Sequence, residues 1–224
     1  MNLMLVLLCV GAAATQPSTA ASTRLAAIAL DRSSPKATVR SFLAALDADD
    51  LDAALSCWHT ADVNQERLLR ASLGMVFDIE RVKRRVAERL GQQAADSLQM
   101  GMPPKEESEV EPLEKAGEKR LKDGSVELDW YLLGHPAILI KAPDGFRLSA
   151  DSYLNDTEPG EPPREYDAKF EEGMKIVAEM SRQLQQVADG VRDGKYKSVD
   201  EVQVRIGEIM GKVLGATTTT APSK

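Results

Sequence analysis

Few side chains in this sequence have the chemistry to act as nucleophiles, bases or metal ligands. Two cysteines, Cys9 and Cys57, and two histidines, His59 and His135, are its whole thiol and imidazole complement. Cys57 and His59 stand two residues apart, and on a helix such neighbours do not face each other. Cys57, beside Leu55 and Trp58, reads instead as a small buried apolar residue. Histidines far apart in sequence and so few cysteines give no metal-ligand spacing. Neither a Gly-rich phosphate loop nor a G-x-S-x-G elbow occurs. The remaining candidates lie around Val126 to Leu132, where Asp129 is a carboxylate base and Tyr131 a phenolic donor, with His135 following in Gly134-His135-Pro136. Such groups work when desolvation in an apolar pocket shifts their pKa values. Alternation places Val126, Leu128, Trp130 and Leu132 on the core face and Glu127, Asp129 and Tyr131 on the opposite one, and His135 reads as a turn residue facing solvent. We therefore assign no catalytic residue, no metal and no cofactor.

Charge narrows the partners. The formal net charge is −7, which argues against phosphate-backbone binding, so no nucleic acid is expected. One basic cluster, Arg81, Lys83, Arg84, Arg85 and Arg89, lies in a helical pattern with Val82, Val86 and Leu90 on the other side. It reads as a solvated helix face.

The elements that must position any site begin after an unusual N-terminus. Leu3 to Val10 has the length of a signal-peptide hydrophobic region and Ala12 to Ala14 offer small-residue cleavage positions. The run falls short of the about 20 residues that span a bilayer. Residues 1–14 are read as a signal peptide, and the mature protein as exported to the periplasm, cell envelope or exterior without stable membrane insertion. Cys9 raises lipidation, but Leu8 precedes it where a lipobox carries a small residue. Residues 15–33 read as a linker, with an apolar patch at Leu25 to Leu30 as a segment that docks.

Ser34 and Pro35 give an N-cap and first-turn proline, and Val39, Phe42, Leu43 and Leu46 form one apolar face. Asp47-Ala48-Asp49-Asp50 then breaks the helix, and Asp49 or Asp50 caps a short second helix carrying Leu51, Ala54, Leu55 and Trp58. His59 falls at its end. Asp62 and Gln65 resemble a capping box opening a long amphipathic helix over 64–90, closed by Gly91. Met102 to Glu107 reads as a loop. The period then changes from helical to alternating. Strands are predicted at 125–132, 137–141 and 146–151, with a weaker one near 108–118, all antiparallel by their short connections. Pro143-Asp144-Gly145 is the turn between two of them. Residues 137–141, apolar on both faces, predict cover on both sides. Asp156 to Pro163 is a linker. Beyond it, Phe170, Met174, Val177, Leu184, Val187 and Val191 form one helical stripe ending at Gly194. Ser198 and Glu201 make a second capping box before a stripe of Val202, Ile206, Ile209 and Val213. The two helices predict an αα-hairpin that needs a third surface. Residues 215–224 form a polar tail, read as disordered.

The order of elements is α+β: N-terminal helices packed on a small antiparallel sheet, followed by a C-terminal αα-hairpin. The stretch P-K-A-T-V-R-S-F-L-A-A-L-D-A-D-D-L-D-A-A-L resembles the opening of nuclear transport factor 2-like domains, through Pro35, Val39, Phe42, Leu46, Asp50, Leu51 and Leu55. The strand D-G-F-R-L-S-A-D at 144–151 is similar to the last strand of such domains. The resemblance covers about 34–154. It implies a curved sheet forming a cone with a pocket, though this chain shows fewer strands than the family usually has. The helical part at 165–214 lies outside the common domain.

The superfamily includes isomerases, dehydratases, cyclases and hydrolases beside members that only bind or assemble, so fold does not decide function. Two expectations follow. The first is an exported non-catalytic protein that takes a small apolar ligand in the cone, at Trp58, Leu128, Trp130, Phe146 and Leu148, or a protein partner or second copy through the helical hairpin. The second is a cofactor-independent lyase or isomerase, which requires Asp129, Tyr131 or His135 to line the cavity.

Overall fold

Ser34 caps the first helix among the described residues, as its sequence position demands. Its hydroxyl accepts the Ala37 N–H at 3.2 Å and Pro35 takes the first helical position, opening α1 (Pro35–Asp47). The computed structural model describes residues 29–98, 113–132, 135–154 and 168–218. The signal segment with Cys9, the linker as far as residue 28, the loop at 102–107, the first part of the strand predicted near 108–118, the 155–164 linker and residues 219–224 of the predicted tail lie outside the described residues. Leu113–Lys115 is a short 3-10 turn rather than strand, a strand begins only at Glu118, and residues 215–218 are the end of a helix rather than tail. The chain divides into two compact units, one of Met1–Glu66 with Lys105–Glu161 and one of Arg67–Pro104 with Pro162–Lys224.

In the first unit the acidic corner is two devices in succession. Asp49 adopts a left-handed backbone, φ +59°, a conformation that short polar side chains tolerate. Asp50 then caps α2 (Leu51–Ser56), its carboxylate accepting the Ala53 N–H at 2.9 Å. The helix stops sooner than its apolar pattern predicts. Trp58–His59 is not helical but a two-residue strand, β1. His59 is exposed. The Cys57 carbonyl accepts the Leu148 N–H at 2.8 Å, which draws the chain alongside the sheet.

Five strands form that sheet, in the order β1-β5-β4-β3-β2. β2 (Glu118–Arg120), β3 (Val126–Leu132), β4 (His135–Ala142) and β5 (Gly145–Ser149) pair antiparallel. β1 pairs parallel with β5, Trp58 opposite Leu148. The class is thus α+β, with a mixed sheet where an all-antiparallel one was expected. β1 and β5 are joined by no short turn, since α3 to β4 lie between them in sequence, so the hairpin constraint that makes β3, β4 and β5 antiparallel does not act on this pair. His135 is the first residue of β4, opposite Leu132, rather than a turn residue. β5 ends at Ser149, whose hydroxyl accepts the Ser152 N–H at 3.4 Å, so 150 and 151 open a helix, α5 (Ala150–Leu154), instead of extending the strand. Cover on the two faces of β4 is unequal: Ala137 and Leu139 are buried, Ile138 and Ile140 only half-buried. Val39, Phe42 and Leu46 of α1 and Leu128, Leu139 and Leu148 of the sheet are its most buried large side chains.

The end of the predicted linker is part of this unit. Asp31 and Ser41 exchange hydrogen bonds of 2.8 and 2.9 Å. The Phe146 N–H donates to the Arg32 carbonyl at 2.8 Å. Gly145, at φ +127°, leaves the Arg32 carbonyl oxygen 2.4 Å from where a Cβ would stand, so only glycine lets the two backbones meet.

The second unit is helical. It contains most of α3 (Val63–Leu90), α4 (Gln92–Asp96), α6 (Ala168–Arg192) and α7 (Val199–Thr218). Asp62 caps α3, accepting from Asn64 and Gln65, while Gln65 reaches back to the Ala61 N–H at 2.6 Å. Two contacts align α3 with α6, Arg67 with Glu171 and Asp78 with Ser181, and the Arg89 guanidinium lies against Gly194 just past the end of α6. The first two share sequence offsets of 104 and 103, so the helices run parallel and side by side. At the α6–α7 turn the Tyr196 ring fills the space over Gly190, and α7 returns antiparallel. Helix α3 thus supplies the third surface that the C-terminal hairpin lacks. Its burial exceeds one stripe, since Met75 to Ile79 are all buried.

Candidate functional site

The five residues expected to bind a ligand separate. Trp58 and Leu148 line a cleft with Leu132, Pro136, Ala137, Ile138, Ser149, Ser152 and Tyr153. Leu128 is fully buried in the core, while Trp130 and Phe146 are half-buried, and none of these three lines the cleft. A register shift between Leu128 and Tyr131 interrupts the β3–β4 ladder and takes Trp130 out of the strict alternation that pointed it to the core. The cleft is a half-open hollow of about 10 Å³, the lower limit for one water-sized group.

Trp58 is its best-defined wall. The Phe42 ring meets it edge-on, with centroids 5.6 Å apart and planes at 83°. Tyr153 of α5 lies 5.2 Å away at 49°. The indole is 5% exposed. Its Nε1–H is buried with no hydrogen-bond partner among the described residues. Sequence reading missed Ser149, Ser152 and Tyr153 because it continued β5 through Asp151. The serine at 149 followed by an acidic residue at 151 is the cap signal that would have found α5.

Of the residues weighed for catalysis, Asp129 alone has a described side chain, and it does not line the cleft. Asp129 is exposed, and its backbone N–H donates to the Gly117 carbonyl at 2.9 Å. The side chains of Tyr131 and His135 lie outside the described set. Among the described residues, no carboxylate and no imidazole lines the cleft. Among the described residues no group of His, Cys, Asp and Glu has the arrangement of a metal site, and no helix is long and apolar enough to cross a membrane.

Cys57 is fully buried, and burial pushes its thiol from 9.0 up to about 11 against the opposing pull of Arg32 and Arg147. Burial alone pushes the Tyr153 phenol from 10.0 up to about 12. Both folded-state values are raised, so the unfolded chain releases these protons first and stability falls as pH rises. The loss is expected to begin near pH 9 and continue to about pH 12. Urea midpoints measured from pH 8 to 11 check this, and Cys57→Ala should remove the part of the slope between 9 and 11. A wild-type midpoint flat across that range would refute it.

In the second unit Asp78 is the one buried carboxylate among the described residues. It accepts from Arg81 at 2.6 Å, from Gln185 at 3.3 Å and from the Ser181 hydroxyl. Every partner is a donor from α3 or α6, so the group is satisfied internally. Three of the five members of the basic cluster are likewise paired along their own helix, as Arg81–Asp78, Lys83–Glu80 and Arg85–Glu88. A gap of about 10 Å³ lies among Met75, Ile79, Met180, Leu184, Ile206 and Met210.

No protein-family model, curated protein or solved structure matches the chain.

Proposed function

We propose that this is an exported, non-catalytic binding protein that takes a small apolar ligand in the Trp58 cleft of its α+β unit. The observation that carries this reading is the cleft's composition: hydrocarbon walls, a fixed aromatic floor and one buried donor without an acceptor. Ligand sites combine mostly apolar lining with a few placed polar groups. Export rests on the Leu3 to Val10 run and the alanines after it. Kinship with nuclear transport factor 2-like domains is part of the proposal. It is supported by the Pro35 helix start, the acidic corner and the antiparallel β3-β4-β5 order that follows.

A second reading, assembly through the helical unit, has one observation in its favour. Val204 on α7 is 63% exposed, and the neighbouring Gly207 and Gly211 have open space where a Cβ would stand. A native mass spectrum of the mature protein taken from its own compartment separates the two. One small-molecule adduct per chain is expected for the cleft reading. A bare dimer that Val204→Glu converts to monomer supports assembly instead, and a bare monomer refutes both.

A further inference from the structure

Helix α7 packs on the helical unit through an apolar seam in which Val202, Ile206 and Ile209 are buried. Next to Ile209, Met210 joins Met75 of α3 and Met180 of α6 around a half-open hollow of about 10 Å³. Met75 and Met180 are buried, whereas Met210 is half-buried. One of the three thioethers therefore belongs to a side chain that reaches solvent. Long helical side chains lean back over the preceding turn, which lays Met210 across Ile206. The other residues around the hollow, Ile79, Leu184 and Ile206, are hydrocarbon. A thioether is only a weak acceptor, so no hydrogen-bond donor stands among the side chains that line the hollow.

We propose that Met210 is a redox-sensitive latch: a peroxide converts its thioether to the sulfoxide, and the oxidised side chain releases α7 from α3 and α6. A sulfur lone pair attacks one peroxide oxygen, the S–O bond forms and the O–O bond breaks. The proton on the attacked oxygen passes to the departing one, which leaves as water when hydrogen peroxide is the oxidant. Sulfur loses two electrons and the peroxide gains them. The product is polar where a flexible apolar group stood. Packed back on the seam it faces only hydrocarbon and thioether, and a polar group left there without a partner is costly. With α7 detached it reaches water. Methionine sulfoxide is reduced by dedicated reductases, one for each epimer, so the device is reversible. It is independent of the Trp58 cleft.

The full chain is treated with graded hydrogen peroxide. Peptide mass mapping reads which methionines gain an oxygen, and amide hydrogen exchange reads the protection of α7. Met210 is expected to oxidise well before Met75 and Met180. Protection over residues 202–210 should then fall by about 10- to 100-fold, the cost of one polar group without a partner, and return after treatment with the two reductases. Met210→Leu keeps the volume and removes the thioether. It leaves Met174, which is half-buried on α6 and does not line the hollow, free to oxidise as an internal control. This variant should keep α7 protected in peroxide. A loss in Met210→Leu as great as in the wild-type chain overturns the assignment to Met210. An oxidised Met210 with α7 still protected overturns the latch, and so does oxidation of Met75 or Met180 ahead of Met210.

Discussion

Phe42→Ala is expected to destabilise the α+β unit by about 3–5 kcal/mol, the range for deleting a fully buried phenylalanine ring. Phe42 is 0% exposed and at the centre of the helix face that α1 buries. Its loss removes both its hydrocarbon area and the edge contact that holds Trp58. The surroundings cannot close the gap easily, because Val39, Leu46 and Leu148 are themselves packed on rigid elements. Both tryptophans, Trp58 and Trp130, lie in this unit, so urea unfolding followed by indole fluorescence reports it selectively. Phe42→Leu should recover most of the loss. A change below about 1 kcal/mol for the alanine variant would mean that the site collapses freely and that the indole is not held by this contact.

Asp78→Ala is expected to cost the helical unit about 3 kcal/mol, the lower part of the range for breaking a buried charged pair. The carboxylate is 3% exposed while Arg81 is 31% exposed, so the orphaned guanidinium can still reach water and the penalty stays moderate. Ser181 and Gln185 on α6 lose their shared acceptor at the same time. Amide hydrogen exchange along residues 177–188 is the appropriate measurement, since it reads this unit apart from the other. Protection there should fall by about two orders of magnitude, following 1.4 kcal/mol per decade. Asp78→Asn, which keeps the shape and some hydrogen bonding, should fall between wild type and alanine. If alanine leaves protection unchanged, the parallel register of α3 and α6 rests on hydrocarbon packing alone.

These two sites were unequally legible. The Phe42 face follows from Ser34, Pro35 and a three-and-four apolar spacing, all local signals that act within a turn or two of the chain. So do the corner at Asp49-Asp50, the caps at Asp62 and Ser198, and the strands around Val126, Leu139 and Phe146. Asp78 sits between Phe77 and Ile79 in a helix whose single apolar stripe would put it in solvent. Only α6, beginning 90 residues later with Ala168, supplies the hydroxyl and amide that make burying it tolerable. Trp58 illustrates the same limit. Its apolar spacing continues α2, but the chain leaves the helix because the Cys57 carbonyl finds the Leu148 N–H, a partner that no local pattern announces.

The sequence alone determined where α1, α3 and α7 begin and that the middle of the chain alternates as strand. Capping, turn chemistry and hydrophobic period are short-range effects written in neighbouring residues. Tertiary structure decided the parallel pairing of β1 with β5, the docking of Arg32 on Gly145, the parallel alignment of α3 with α6, and the meeting of Trp58 with Tyr153. Each of these joins segments far apart in sequence, through a backbone donor, a steric allowance or a buried charge whose partner exists only once the chain has folded.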